Sequence, residues 1–284
     1  MIGSSTAIAA FHELHASGCF VIPNPWDSGS AVFLHQAGFR ALATTSAGIA
    51  FTRGLPDEVL AVPCATMLAH IADIVAATPL PVTADFQSGY THDLDELARN
   101  VTACVATGVA GLSIEDATGD KARPPLYDRG TAIERIRTAR RAIDTAATAA
   151  ATLPVVLTAR CEAYLVGDAD PAATAIDRLV AYADAGADCL FAPAVRDPAT
   201  IAALVEAVAP KPVNVVVTSP GQGLTVPLLA DLGVRRISVG SSLARVAWGA
   251  FMRAVRSIAE TGTFDALADA APFPVFADMF GGRR

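Results

Sequence analysis

Eight short apolar runs, at residues 19–26, 40–45, 80–86, 111–116, 154–160, 188–193, 212–217 and 235–240, alternate along this chain with segments of helical composition. Each run is rich in Val, Ile, Leu or Ala, as a parallel strand buried on both faces requires. The intervening segments 28–37, 58–77, 93–107, 131–150, 172–185, 197–208, 224–231 and 241–260 supply a helix after every run. Gly38, Gly108, Gly186 and Gly233 each close such a segment, where the left-handed residue past a helix end favours glycine. Asp57, Thr131 and Asp170 stand where helix N-caps are expected.

Eight strand–helix units of one period predict an α/β fold, a (β/α)8 (TIM) barrel, in one domain over 1–284. An open doubly wound sheet needs a glycine-rich phosphate turn after its first strand, and NPWDSGSA matches that turn poorly. Residues 264–284 form an apolar, Pro-broken C-terminal extension with no strand to cover, and are expected to pack against another subunit.

A formal charge of −7 with no run of basic residues leaves no footprint for nucleic acid or an anionic membrane, so the expected partner is a small molecule. No apolar stretch reaches the length of a membrane span without a charge or Pro. The N-terminal segment lacks the basic start of a signal peptide and reads as an amphipathic helix. Five cysteines without CxxC spacing speak against a disulfide framework or a zinc site, and for a cytoplasmic location.

Four runs end in charge: at Asp27, Asp85, the pair Glu115–Asp116, and Arg160. In a barrel these strand ends gather on the face that carries chemistry. Asp85 in VTADF suits a hard cation such as Mg2+, with a turn cap as the bland alternative. Of Glu115 and Asp116, alternation turns one toward the site, and Glu115 is the better placed. Arg160 has the fork to grip a carboxylate or phosphonate, or else to pair with Glu162 or Glu115. Asn214 lies inside a buried run and either meets substrate or satisfies internal groups. TTSAGIA (44–50) offers backbone N–H groups and the Ser46 hydroxyl to an anion. The connection 116–130 is long for a βα loop and reads as a lid, with Gly119 as hinge and Lys121 and Arg123 as its charges.

With NPWDSGSA, TTSAGIA, GLPD, ADFQSGY, GLSIED, TARCEAY, ADCLF and PVNVVV in this order, the chain resembles the isocitrate lyase / phosphoenolpyruvate mutase superfamily. The resemblance implies a barrel whose last helix is swapped between subunits of a dimer or homotetramer. It also implies Mg2+, with Mn2+ as substitute, coordinating an oxo acid or its enolate. Carried over residue by residue, the substrate turn falls on Thr45, Ser46, Ala47 and Gly48, and a site aspartate on Asp57. Metal-site acids fall on Asp85 and Glu115, the substrate arginine on Arg160, and the polar strand-seven residue on Asn214. On the closed lid, Lys121 or Arg123 is expected to stabilise the leaving group.

Three departures stand out. Gln87 replaces the second acid of the DxD motif, which leaves it a supporting place near the metal. The lid has neither the KKCGH of the lyases nor the Asn-Ser of the mutases. FAPAV (191–195) has no His or Glu. The expected activity is cleavage or rearrangement of a C–C or C–P bond next to a carbonyl in a small oxo acid, through an enolate. The alternatives are a non-catalytic oxo-acid binder, an oxaloacetate decarboxylase or hydrolase, and a pyruvate-type aldolase.

Overall fold

Backbone pairing takes up the apolar runs in order. In the computed structural model, which describes residues 5–58, 61–220 and 223–281, the first four strands are β1 (Phe20–Ile22), β2 (Leu42–Ala43), β3 (Val82–Asp85) and β4 (Gly111–Glu115). The other four are β5 (Val156–Arg160), β6 (Cys189–Phe191), β7 (Val213–Val216) and β8 (Arg236–Ser238). They are shorter than the runs. The first keeps three residues because Pro23 and Pro25 have no N–H for the ladder.

Helix α1 (Ser5–Ala16) precedes β1, and α2 (Ser28–Gln36) follows it. After β2 come α3 (Ser46–Thr52) and α4 (Cys64–Ala76), then α5 (Leu94–Ala106) after β3 and α6 (Arg129–Ala150) after β4. Next are α7 (Ala163–Val166) and α8 (Pro171–Asp184) after β5, α9 (Pro198–Val208) after β6 and α10 (Val226–Asp231) after β7. The chain closes with α11 (Ser242–Thr261), a 3-10 turn (Asp265–Asp269) and α12 (Phe273–Phe280).

All pairings are parallel, and the order β2-β3-β4-β5-β6-β7-β8-β1 leaves β1 and β2 as the outer pair. Across that seam the Ala43 N–H donates to the Pro23 carbonyl at 3.1 Å, so the sheet curls into a nearly closed barrel. The expected (β/α)8 fold stands. The four post-helix glycines have φ between +84° and +103°, the conformation that selected them. Among the expected caps, Asp170 opens α8 ahead of Pro171. Thr131 does not cap. Asp128 does, and accepts the Thr131 N–H. Asp57 caps no helix among the described residues, since α4 starts after Pro63. Asp27 caps α2, exchanging hydrogen bonds with Ser30.

Helix α1 closes the N-terminal end of the barrel. Its His12 Nε2 meets the Pro154 carbonyl at 2.8 Å, and the fully buried Ile8 and Phe11 turn into the core. Each such side chain contributes roughly 1.5–3 kcal/mol. Gly111 opens β4 where a Cβ would lie 2.8 Å from the Phe11 ring and 2.9 Å from the Val156 carbonyl oxygen. Only glycine lets plug and strands approach so closely.

The far end of the chain is packed less. Of α11 only Ala244 is buried, while Val246, Trp248, Phe251, Met252 and Val255 are exposed. The extension departs from expectation in part. Helix α12 rests on α2 of its own barrel, where Gln36 Nε2 donates to the Met279 carbonyl at 3.0 Å and the Phe280 ring lies against Gly29. Phe273, Val275 and Phe276 remain exposed on it, and residues 282–284 lie outside the described part. All five cysteines are free thiols, and no helix among the described residues is long and apolar enough to cross a membrane.

Candidate active site

The charged strand ends of β3, β4 and β5 meet on one guanidinium. Parallel register sets Glu115 beside Arg160, and Arg160 beside Phe191. From there Arg160 Nη1 donates to Asp85 Oδ1 at 2.7 Å and Nε to Glu162 Oε1 at 2.9 Å, while Nη2 lies 3.2 Å from Glu115 Oε2. Its plane also lies over the Phe191 ring, 5.2 Å from the centroid. The internal ion pairs that the sequence left open for Arg160 are thus formed, and Asp85 joins them.

Asp85 is held twice more. Its second oxygen, Oδ2, accepts the Ser46 backbone N–H at 2.8 Å, and its own N–H donates to Thr44 Oγ1 at 2.9 Å. Ser46 is the first residue of α3, so the turn that the sequence offers to an anion takes the protein's own carboxylate. Thr45 caps that helix by accepting the Gly48 N–H. At Gly48 a Cβ would come within 2.6 Å of Thr45 Cγ2 and 2.9 Å of Trp26 Cβ, so this turn closes only on glycine. The Ser46 hydroxyl reaches Asp57 Oδ1 at 3.4 Å.

Four carboxyls, those of Asp57, Asp85, Glu115 and Glu162, therefore surround one arginine. Burial pushes the Glu115 carboxyl well above the usual range, with Glu162, Asp85 and Asp57 adding to the rise against the pull of Arg160. Glu162 is raised by burial in the same way. Asp57 stands at the exposed rim with its carboxyl turned inward, and loss of water, then the charge of Asp85, raises it. Burial pulls the Arg160 pKa down, but Glu162, Glu115 and Asp85 together carry it above its ordinary value. Carboxyl groups outnumber the guanidinium here.

A cavity of about 290 Å³ opens at this end of the barrel. That is the lower bound of the roughly 300–1,000 Å³ of small-molecule sites, and it fits an acid of a few carbons. Thr45, Ser46, Ala47, Asp57, Asp85 and Arg160 line it together with Phe191, Arg196 and Asn214. Glu115 stands behind Arg160 and is not on the wall. Gln87 is not there either: it turns with φ +45° and gives its carbonyl to the Glu115 N–H at 3.0 Å. Asn214 reaches the wall with both amide ends engaged, Nδ2 donating to Ser238 Oγ at 3.0 Å and Oδ1 accepting from Arg236 at 2.8 Å.

The lid charges are not brought to the cavity. Ala117 bridges Leu126, Thr118 Oγ1 donates to the Pro124 carbonyl, and Arg123 pairs with Asp120 at 3.3 Å, so the loop folds on itself with Lys121 exposed. Asp116 holds its stem. It accepts from the Glu162 N–H at 2.8 Å, Tyr182 Oη at 2.6 Å and Arg178 Nη1 at 3.0 Å, and Arg178 Nη2 reaches the Tyr127 carbonyl.

Sequence reasoning named Glu162 only as a partner for Arg160 and missed Arg196 and Arg236. Arg196 follows a strand end that carries no charge. Arg236 starts a strand rather than ending one.

The donor set fits Mg2+ better than a metal that needs a full protein cage. Mg2+ keeps most of its waters and takes one or two carboxylates. Among the described residues no group of three or more His, Cys, Asp or Glu is arranged to hold an ion by itself.

Comparison with known proteins follows the same lines. The family model for phosphoenolpyruvate phosphomutase matches residues 11–259. A crystal structure of a Burkholderia cenocepacia J2315 protein superposes with a TM-score of 0.91 at 46% identity, over 98% of this chain and 97% of that one. The probable 2-methylisocitrate lyase 2 of Corynebacterium glutamicum is 30% identical over 85% of this chain and 76% of its own. The structure of oxaloacetate acetylhydrolase in complex with the product oxalate has a TM-score of 0.83 at 25% identity, over 97% and 94% of the two chains.

Proposed function

Because the chain belongs to the phosphoenolpyruvate phosphomutase family and is a lyase- or phosphonomutase-like enzyme, we propose that it is Mg2+-dependent and breaks or rearranges a C–C or C–P bond beside the carbonyl of a small oxo acid. The observation that carries this reading is the excess of carboxyl groups around Arg160, two of them, Asp57 and Asp85, on the wall of a cavity sized for such an acid. A bound divalent cation would supply positive charge beside the carbonyl oxygen as an enolate develops.

This chain's residues divide the work. Asp85 would hold the metal from the wall, with Glu115 behind Arg160 and Gln87 fixing Glu115 through its backbone. Mn2+ satisfies the same donors. Arg160 and, from the Thr45–Gly48 turn, the Ser46 hydroxyl orient the substrate carboxylate, and Asn214 shapes the wall. Asp57, its pKa raised by burial and the charge of Asp85, is the group placed to exchange a proton beside the Ser46 hydroxyl. Closure of the loop 117–127 carries Lys121 over the leaving group. The protein works in the cytoplasm as a homo-oligomer, with α11 exchanged between subunits.

A second reading, hydrolysis or decarboxylation of a four-carbon oxo acid, is favoured by the lid without its lyase cysteine and by the likeness to oxaloacetate acetylhydrolase. Assays with oxaloacetate, phosphonopyruvate and methylisocitrate separate the two, and turnover of none removes the catalytic proposal. Thermal shift with Mg2+ and oxalate tests the shared site. An unchanged melting temperature would sink the metal-and-oxo-acid reading, the non-catalytic version included.

A further inference from the structure

Below the ring of carboxyls, the barrel holds a second arginine. Arg236 begins β8 with its side chain inside the barrel, on the cavity wall and 4% exposed. The interior of such barrels is ordinarily packed with branched apolar side chains, and a guanidinium there loses most of its hydration. Its partners are all neutral: Nε donates to Asn214 Oδ1 at 2.8 Å, Nη2 to Thr158 Oγ1 at 3.1 Å, and Nη1 meets His15 Nε2 at 3.3 Å. Burial and the charge of Arg236 hold the His15 ring neutral. Among the described residues no carboxylate pairs with Arg236, whereas Arg160 has three.

Three of its five N–H groups are used by these contacts. Asn214 and Thr158 share the wall with it, and Ser238, on the wall too, ties back to Asn214. A buried charge without a counter-charge is costly, and that cost is removed when a ligand brings the missing anion.

We propose that Arg236, framed by Thr158, Asn214 and Ser238, is an anion-binding subsite at the floor of the pocket, taking a carboxylate-sized group below the metal-and-oxo-acid site. The group is either the second carboxylate of the substrate or a free small anion. In the first case Arg236 selects diacids over monoacids. The assignment rests on reading the cavity as an oxo-acid site, so the test separates the two.

Calorimetric titrations with Mg2+ present would compare oxalate, 3,3-difluorooxaloacetate as a four-carbon oxo diacid, pyruvate, and formate added to the oxalate complex. For a substrate-borne carboxylate, Arg236→Gln weakens the four-carbon diacid about tenfold or more, while affinities for oxalate and pyruvate stay within about twofold. For a free anion, formate binds the wild-type oxalate complex and not the variant's. If neither the diacid nor formate distinguishes wild type from Arg236→Gln, the subsite is overturned. Failure of oxalate to bind wild type instead removes the oxo-acid reading. Arg236→Lys keeps the charge without the fork, and retained oxalate binding shows that it is folded. Where Arg236→Gln does not fold, a severalfold loss of the diacid or of formate in Arg236→Lys supports the subsite, and unchanged binding of both rejects it.

Discussion

Asp85 shows how one side chain can serve two purposes. Its oxygens are split between Arg160 and the Ser46 N–H, and each keeps a lone pair for a cation. Asp85→Asn removes the charge and leaves the size, so oxalate with Mg2+ should no longer raise the melting temperature and turnover should fall about 100-fold or more. A variant that retained the shift would place the metal elsewhere. At the other end of the barrel, His15 has its pKa lowered to about 3 by burial and by Arg236. The unfolded chain protonates this ring below about pH 6.5, while the folded one resists until about pH 3. The unfolded state then binds more protons, and stability declines as pH falls through that window. Denaturant melts followed by circular dichroism should show this decline, and His15→Gln should flatten it. Asp85, Glu115 and Arg160 were legible in the sequence because each ends an apolar run. Arg236 was not, since a charge that begins a strand looks like the last residue of the preceding turn.

Among the elements, the loop between β4 and α6 gives the sharpest expectation. Its stem is fastened where Asp116 receives Arg178 and Tyr182, and Arg178 continues to the Tyr127 carbonyl. Arg178→Met keeps much of the apolar stem but leaves Asp116 with one donor fewer. Limited proteolysis should then cut within 117–127 faster than in wild type, and kcat/KM should fall. Lys121→Ala should lower kcat with the cleavage rate unchanged, and an unaltered kcat would show that the closed lid does not use it. The loop's existence followed from its length, but its folded-back state did not, because it depends on contacts made only in space, Thr118 with the Pro124 carbonyl and His92 Nε2 3.8 Å from Asp120. Helix α3 was read as a polar turn for a related reason. Seven residues of SAGIAFT carry no apolar period, and the helix owes its place to the Thr45 cap and the contact of Ser46 with Asp85.

At the scale of the molecule, the barrel was readable from eight repeats and their closing glycines, because burial on both faces writes itself into every strand. Assembly leaves no such repeat. What the structure adds is an α11 with one buried residue and a row of exposed apolar side chains. Surfaces of that kind are rarely left to water. Trp248→Glu with Phe251→Asp should convert a wild-type oligomer to a monomer by light scattering, and a wild type that is already monomeric would end the proposal of exchanged helices.

The seam between β1 and β2 bears on the cavity as well. Ile22 and Asn24 on one margin and Ala43, Thr45 and Ser46 on the other all line it, so the joint with the thinnest backbone stitching is also the one that a ligand in the cavity would straddle. A bound acid acts there as a rivet, resisting the outward breathing of the barrel wall at its weakest line. Amide exchange at Ala43, whose N–H crosses the seam to Pro23, should therefore slow on binding more than exchange at the continuous β4–β5 ladder.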